Sequence, residues 1–296
     1  MLNKNYVSPK LSFPEGPVLM DNGDFFLVEM GEDAGTISHI DGKTFTCTRV
    51  VKTGRPNGLA IDKDGTIWCA ESKHPSLLKV TQDGKVEMVL EKCEGEDFRF
   101  PNDLAFGPDG MLYMTDSGIR FYDSETNGKL NPDYMTYPYR GKVYCINPKT
   151  LEIYKIDDYI KFTNGIALGP DDRLYVNETR TGNIYSYGKV NGRYSNKDKK
   201  LFANVLHEGE NLSPSRGPDG MKFAASGNLY CVVYGQWDVV VLDRNGKQIK
   251  YIPTEGQNPT NLVFGPQGSG DIYVTEVAEG HMEKHHVGED GMVLYR

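Results

Sequence analysis

Residues 100–117 read FPNDLAFGPDGMLYMTDS. A short apolar strand meets a turn at Asp109-Gly110, and a second strand opens with the apolar-aromatic-apolar run Leu112-Tyr113-Met114. The Asn102-Asp103 pair stands where the first, buried strand begins, an unusual place for an amide and a carboxylate. The same pattern recurs at 13–30 (FPEGPVLMDNGDFFLVEM), 55–72 (RPNGLAIDKDGTIWCAES), 162–179 (FTNGIALGPDDRLYVNET), 217–234 (GPDGMKFAASGNLYCVVY) and 258–277 (NPTNLVFGPQGSGDIYVTEV). Six copies of one unit point to a repeat architecture.

A third apolar run follows each pair: GTISHI, SLLKVT, GKVYCI, GNIYSYG, DVVVLD and, at the end of the chain, GMVLYR. A fourth run follows in the first five copies, as in KVEMVL and KQIKYI. Four antiparallel strands per copy predict an all-β fold, a six-bladed β-propeller forming a single domain over residues 1–296. The sixth copy lacks a fourth strand, and NKNYVSP, ahead of the first copy, is expected to complete that last blade as an N-terminal closing strand.

Composition agrees with hairpins rather than long helices: 33 Gly and 18 Tyr lie among short Val-, Ile- and Leu-rich runs. A formal net charge of −8 with no basic stripe argues against nucleic acid and anionic membranes as partners. The opening residues carry no charged-then-apolar leader pattern, so a soluble, cytoplasmic protein is expected, a monomer or weak homo-oligomer. Five scattered Cys without CxxC spacing fit reduced thiols. HMEKHHVGED gathers His281, His285 and His286, and is expected to be a solvated insertion between strands of the last blade. The acidic residues that close the second strands, Glu29, Glu71, Asp116, Glu178 and Glu276, are expected to hydrogen-bond from blade to blade.

In a propeller the first strand of every blade lines the central channel. Aligned copies therefore bring Glu15, Asn57, Asn102, Asn164, Asp219 and Thr260 to one level around the axis. Asn, Asp and Thr are also ordinary turn residues, so any one of them alone has a structural explanation. Together, two carboxylates facing across a narrow channel repel unless protonated or neutralised by a cation. An all-oxygen set suits a hard ion such as Ca²⁺ or Mg²⁺. Glu15 and Asp219 would cancel its charge, Asn102 and Asn164 would add neutral oxygens, and open positions would remain for water and substrate.

At these residues the chain resembles the SMP-30/gluconolactonase/LRE-like family. The resemblance rests on FPEGP around Glu15, PND around Asn102, TNGIAL around Asn164, GPDGMKF around Asp219 and GQNPTNLVFG before the last blade. It implies a six-bladed propeller that hydrolyses a lactone, a small-molecule substrate, with a channel metal held by Glu15, Asn102, Asn164 and Asp219. It implies Ca²⁺, with Mg²⁺, Mn²⁺ or Zn²⁺ as other divalent ions, and gives Asp219 the role of proton carrier. Animal members place an Arg two residues before the second Asn; here Phe100 stands there, with Arg99 one position earlier. Asn102, Asp116, Ser117, Arg99 and Asn57 are the expected substrate contacts. The Tyr-rich insertion at 119–140 is a candidate cover for the channel mouth, and His207 and Arg216 in a second insertion are within possible reach of substrate. Two other functions stay open: organophosphate hydrolysis at the same metal site, and a non-enzymatic binding propeller.

Overall fold

Turn chemistry decides where each strand ends. In blade 2, Asp62 Oδ1 accepts the backbone N–H groups of Asp64 (3.0 Å) and Thr66 (2.9 Å). Gly65 takes the left-handed φ of +80° that this tight reversal needs. Repeated along the chain, such turns fold it into five four-stranded antiparallel sheets and one three-stranded sheet. The structure, a computed structural model, describes residues 5–126, 129–293 and 295.

The sheets are the blades of a six-bladed β-propeller. Their innermost strands are Pro14–Leu19, Pro56–Ile61, Pro101–Phe106, Thr163–Leu168, Gly217–Phe223 and Pro259–Phe264. Burial falls outward across each blade. The second strands Phe25–Glu29 and Ile67–Glu71 are buried at every position, because neighbouring blades cover both faces, whereas the outer strand Val86–Leu90 is largely exposed. Apolar clusters fill the gaps between blades. One joins blades 2 and 3 through Trp68, Leu104 and Met114; another joins blades 4 and 5 through Tyr175, Met221 and Cys231.

The ring closes where the chain begins. Tyr6 pairs with Glu283, Val7 N–H donates to Met282 O (2.9 Å) and Leu11 N–H donates to Gly280 O (2.7 Å). Residues 5–11 therefore occupy the outer place of the last blade, as an irregular segment rather than a full strand; Asn3 and Lys4 of NKNYVSP lie outside the described residues. Leu11 and Met282 join Phe25, Leu27, Val263 and Tyr273 in the cluster between blades 6 and 1.

Two expectations for the last blade are corrected. Its third strand is His281–His286, not GMVLYR, because that segment completes the ladder with Asp271–Glu276 in unbroken register. The three His residues are thus strand residues rather than parts of a loop: His281 stacks on Tyr6, His285 bonds Glu283 (2.8 Å) and His286 bonds Asp271 (2.9 Å). GMVLYR instead runs across one end of the channel. Gly291 pairs with Ala224, Met292 N–H donates to Phe223 O, and Tyr295 packs on the clusters of blades 2–3 and 3–4. Leu294 and Arg296 of that run lie outside the described residues. A largely apolar cavity of about 490 Å³ lies between this tail and the inner strands, lined by Leu59, Leu104, Ile166 and Val263.

All five cysteines are free. Among the described residues no helix is long and apolar enough to cross a membrane. The closing cluster makes a simple stability prediction. Leu11→Ala removes a side chain that is 3 % exposed and should cost about 2–5 kcal/mol in urea denaturation. Met88→Ala, on an outer strand and 55 % exposed, should change stability by less than about 0.5 kcal/mol.

Candidate functional site

Every inner strand breaks its ladder near its start. Pairing is interrupted between Glu15 and Val18, Pro56 and Leu59, Pro101 and Leu104, Thr163 and Ile166, Pro218 and Met221, and Pro259 and Asn261. Such bulges turn side chains out of the sheet. They occur where Glu15, Asn57, Asn102, Asn164, Asp219 and Thr260 stand. Close approach of the strands tightens the ring at this level. A Cβ on Gly58 would sit 2.5 Å from Asn102 O, and one on Gly165 would sit 2.3 Å from Asp219 O. Only glycine permits these contacts.

Side chains from each blade then lock onto the next. Thr115 Oγ1 donates to Asn164 O (2.6 Å), Asn177 Nδ2 to Asp219 O (2.5 Å) and Thr260 Oγ1 to Pro14 O (2.8 Å). The hydroxyl of Thr260 is thereby committed to ring closure and leaves the oxygen set. Asn57 is buried at the same level.

The remaining oxygens are only partly satisfied. Asn261 Nδ2 donates to Glu15 Oε1 (3.0 Å), and Glu15 Oε2 is buried with no hydrogen-bond partner. Asn102 Nδ2 donates to Ser117 Oγ (3.0 Å), which donates in turn to Thr163 O (2.8 Å); Asn102 Oδ1 is likewise buried and without a partner. Asn164 faces Asp219 as a side-chain hydrogen-bond donor. Of the four, Asp219 alone is part-buried rather than buried as a residue.

Asp103, beside Asn102, is a third buried carboxylate, one that the sequence reading does not place in the site. It accepts the Leu104 N–H (2.9 Å) and lies 3.7 Å from the Lys222 ammonium. The signal is present in the repeats: the residue after the ring position is Gly16, Gly58, Gly165 or Gly220 in four copies, but Asp103 and Asn261 in the other two. Both exceptions point functional groups toward Glu15 or its surroundings. Burial, then Asp103, pushes the Glu15 carboxyl well above the ordinary carboxylate range; burial, then Glu15 and Asp103, does the same to Asp219.

Other expected site residues are engaged within the fold. Asp116 accepts the N–H groups of Arg99 (2.7 Å), Phe100 (3.1 Å) and Gly118 (2.9 Å), pinning the entry to the third inner strand. Ser117 is spent orienting Asn102. Both position the entry to the third inner strand. The acidic residues that close the second strands also differ from expectation: Glu71 holds Arg55 N–H (2.8 Å) and Glu276 holds Asn258 N–H (3.0 Å), bonds within one blade rather than between blades. Arg99 reaches Gly118 O at 3.5 Å, and His207 turns to Asp238 (2.7 Å).

The insertion at 119–140, described apart from Asn127 and Gly128, is seated on the mouth above this ring. Phe121 and Tyr139 pack with Phe100 and Phe162 at the entries of blades 3 and 4. Tyr134 lies within electrostatic reach of Arg180, Tyr234 and Asp219, and burial pushes its hydroxyl up to about 12.

The charges at the axis suit a divalent cation. Ionised together, the carboxylates of Glu15, Asp103 and Asp219 would meet one ammonium, Lys222, with two negative charges in excess; without a cation, burial and mutual repulsion favour the protonated forms of Glu15 and Asp219. Two orphaned oxygens, Glu15 Oε2 and Asn102 Oδ1, provide ligand atoms that no other described residue uses. Among the described residues no group of three or more His, Cys, Asp or Glu is placed to hold a metal ion by itself. A cation here would need carboxylate and amide oxygens together, which is what Glu15, Asn102, Asn164 and Asp219 offer. With the site metal-free, both carboxyls have folded-state pKa values above their unfolded ones. Their contribution to stability is present at low pH and is lost as pH rises through the folded values. In excess chelator, Tm should therefore fall as pH rises from the ordinary carboxylate range past neutrality. The fall should be shallower in the double variant Glu15→Gln, Asp219→Asn, as read by calorimetry; parallel profiles would contradict the coupling.

The chain matches the SMP-30/gluconolactonase/LRE-like region across residues 13–278. It is 30% identical over 282 residues to the diisopropyl-fluorophosphatase of Loligo vulgaris, covering 88% of this chain and 85% of that protein. It is 26% identical over 283 residues to a gluconolactonase of Zymomonas mobilis, covering 88% of this chain and 76% of that one. Its fold superposes on a luciferin-regenerating enzyme with a TM-score of 0.78 at 16% identity, covering 97% and 95% of the two chains. Six repeats whose inner strands break at one level, an oxygen ring on the axis and a sequence match spanning nearly all of the repeats lead to one assignment: the chain belongs to the SMP-30/gluconolactonase/LRE-like family.

Proposed function

We propose that this protein is a divalent-metal-dependent hydrolase of a small lactone, working in the cytoplasm with Ca²⁺ held by Glu15, Asn102, Asn164 and Asp219. The observation that carries the reading is the pair of orphaned buried oxygens, Glu15 Oε2 and Asn102 Oδ1, beside carboxyls of Glu15 and Asp219 that burial and mutual repulsion hold back from ionising without a cation. A scaffold for binding another protein has no use for that arrangement, whose desolvation is costly without a cation. Similarity to a gluconolactonase over 88% of the chain supports the choice of lactone.

The chemistry supplied by such a cation is polarisation of the lactone carbonyl and offset of the negative charge that develops as water adds. The protein's own groups do the rest. Ser117 holds the Asn102 amide so that its oxygen stays on the channel side, and Asn261 fixes the Glu15 carboxylate. Asp219, the least buried of the four, accepts the proton of the attacking water on a carboxylate oxygen. As the ring C–O bond breaks, it returns that proton to the departing oxygen, and the products are the open hydroxy acid and the regenerated carboxylate. The aromatic cluster of Phe100, Phe121, Tyr139 and Phe162 narrows the mouth and limits bulk water around the reacting carbonyl.

Similarity to the diisopropyl-fluorophosphatase over the same share of the chain favours a second reading, attack of water on phosphorus at the same site. A lactone panel run beside diisopropyl fluorophosphate decides between them: the better kcat/KM identifies the substrate class. Asp219→Asn should lower kcat by about 10²–10⁴-fold while Ca²⁺ affinity, measured by calorimetry, falls by a smaller factor. Equal losses would reduce Asp219 to a metal holder. Glu15→Gln should weaken Ca²⁺ binding, and wild-type protein that takes up no divalent ion would defeat the reading as a whole.

A further inference from the structure

The protein is acidic, yet the channel mouth is furnished with arginines that meet no carboxylate. Arg55 directly precedes the inner strand of blade 2, and Arg180 follows the second strand of blade 4. Among the described residues Arg49 and Arg173 pair with carboxylates, reaching Glu29 and Asp198 each at 2.9 Å, whereas Arg99, Arg140 and Arg244 reach backbone carbonyls or a tyrosine hydroxyl; what distinguishes Arg55 and Arg180 is their place at the mouth. At the mouth the partners are neutral. Arg55 Nη1 donates to Ser72 Oγ at 3.3 Å, and its guanidinium lies 4.7 Å from the Phe121 ring centre and 5.3 Å from that of Phe100. Arg180 reaches Ser215 O at 3.4 Å and Met135 Sδ at 2.9 Å, covers the Tyr134 ring at 5.4 Å, and keeps a buried Nε with no partner.

These groups share one space with the oxygen ring. Tyr134 is in electrostatic reach of Arg55, Arg180 and Asp219, and Arg55 is in reach of Glu15. Of the carboxylates, Glu125 of the insertion acts on Arg55 most strongly, ahead of Glu71, but neither pairs with its guanidinium within 4 Å, and the Glu71 carboxylate is engaged by the backbone N–H groups of Arg55 (2.8 Å) and Lys73 (2.9 Å) and by the Thr53 hydroxyl (2.8 Å). Phe100 fills the place two residues before Asn102 and becomes the platform on which Arg55, supplied by the neighbouring blade, is stacked. A guanidinium packed on aromatic surface stays charged with its fork of N–H donors available at its edge, a donor set that suits a carboxylate or phosphate. Leaving two such cations half-desolvated without an anion is unfavourable, and a bound anion would relieve it.

We propose that the substrate is a lactone bearing an anionic substituent, a carboxylate or a phosphate, which Arg55 and Arg180 hold at the mouth while the carbonyl sits at the axis. This rests on the lactonase reading above. A neutral sugar lactone leaves both guanidinium groups unpaired; an acidic one satisfies them and is oriented by them.

The test uses the Ca²⁺-loaded protein and three substrates: a neutral hexono-1,5-lactone, its 6-phosphate, and a hexaric acid monolactone with a free carboxylate. Wild type should prefer one of the acidic lactones over the neutral one in kcat/KM by roughly 10- to 100-fold, the gain of one or two charge-assisted hydrogen bonds. Which acidic lactone is preferred identifies the anion. In Arg55→Gln and Arg180→Gln that preference ratio should collapse, mainly through KM, and Arg55→Lys should restore part of it. Equal use of neutral and acidic lactones by wild type, or a ratio unmoved by both substitutions, overturns the proposal and leaves the lactonase reading standing. If no lactone is hydrolysed, that reading fails, and calorimetry with inorganic phosphate and with a hexarate dianion decides this one. Binding weakened at least about 10-fold in the Arg55→Gln, Arg180→Gln double variant supports an anion site; binding equal in variant and wild type, or absent from both, sinks it.

Discussion

Glu15, Asp103 and Asp219 occupy a narrow, mostly buried space with a single ammonium, that of Lys222, to answer three carboxylates. Such a cluster is unfavourable by itself, since burial and mutual repulsion both resist the ionisation of Glu15 and Asp219. It persists because the surrounding structure over-determines it. Bulges in six consecutive inner strands turn the side chains to the axis, and glycines such as Gly58 and Gly165 allow the strands to crowd together. Backbone carbonyls at this level are latched to the neighbouring blade by Thr115, Asn177 and Thr260. The rest of the ring, including the apolar clusters between blades and the closing segment at residues 5–11, keeps these groups from moving apart.

The two ends of the channel are built for different purposes. At one end the tail residues Met292 and Tyr295 lie against a largely apolar cavity, whose charged lining residues are Asp21 and Lys222. At the other, the insertion at 119–140 brings aromatic rings over the entries of blades 3 and 4, and arginines from blades 2 and 4 flank the opening. Two arginines thus stand at the entrance, with Glu125 of the insertion acting on one of them, above an acidic centre. A cation at the centre and an anion at the mouth are complementary demands, and a substrate with a polarisable carbonyl and an acidic tail answers both.

Several residues that look chemical in the sequence prove to be mechanical. Asp116 is surrounded by backbone N–H groups, Ser117 serves Asn102, and the three His residues of the last blade are tied to Tyr6, Glu283 and Asp271 along a regular strand. Their side chains resemble catalytic groups in type, but each already holds a partner inside the fold. A group can act on substrate only with capacity to spare, and that property separates Glu15 and Asn102 from Asp116 and Ser117.

The architecture is legible in the repeats themselves. An apolar strand, a turn and an aromatic-centred strand, six times over, leave few alternatives to a propeller, and register along the repeats brings the axial residues to one level. Local sequence carries that information because turn chemistry and strand alternation are local physics. What the repeats do not carry is how satisfied each polar atom is. The third carboxylate at Asp103, the orphaned oxygens of Glu15 and Asn102, the path of the C-terminal tail and the seating of Arg55 on Phe100 all depend on atoms from different blades meeting. Those meetings are set by ring closure, which fixes distances between residues far apart in the chain and leaves no mark on any one stretch of sequence.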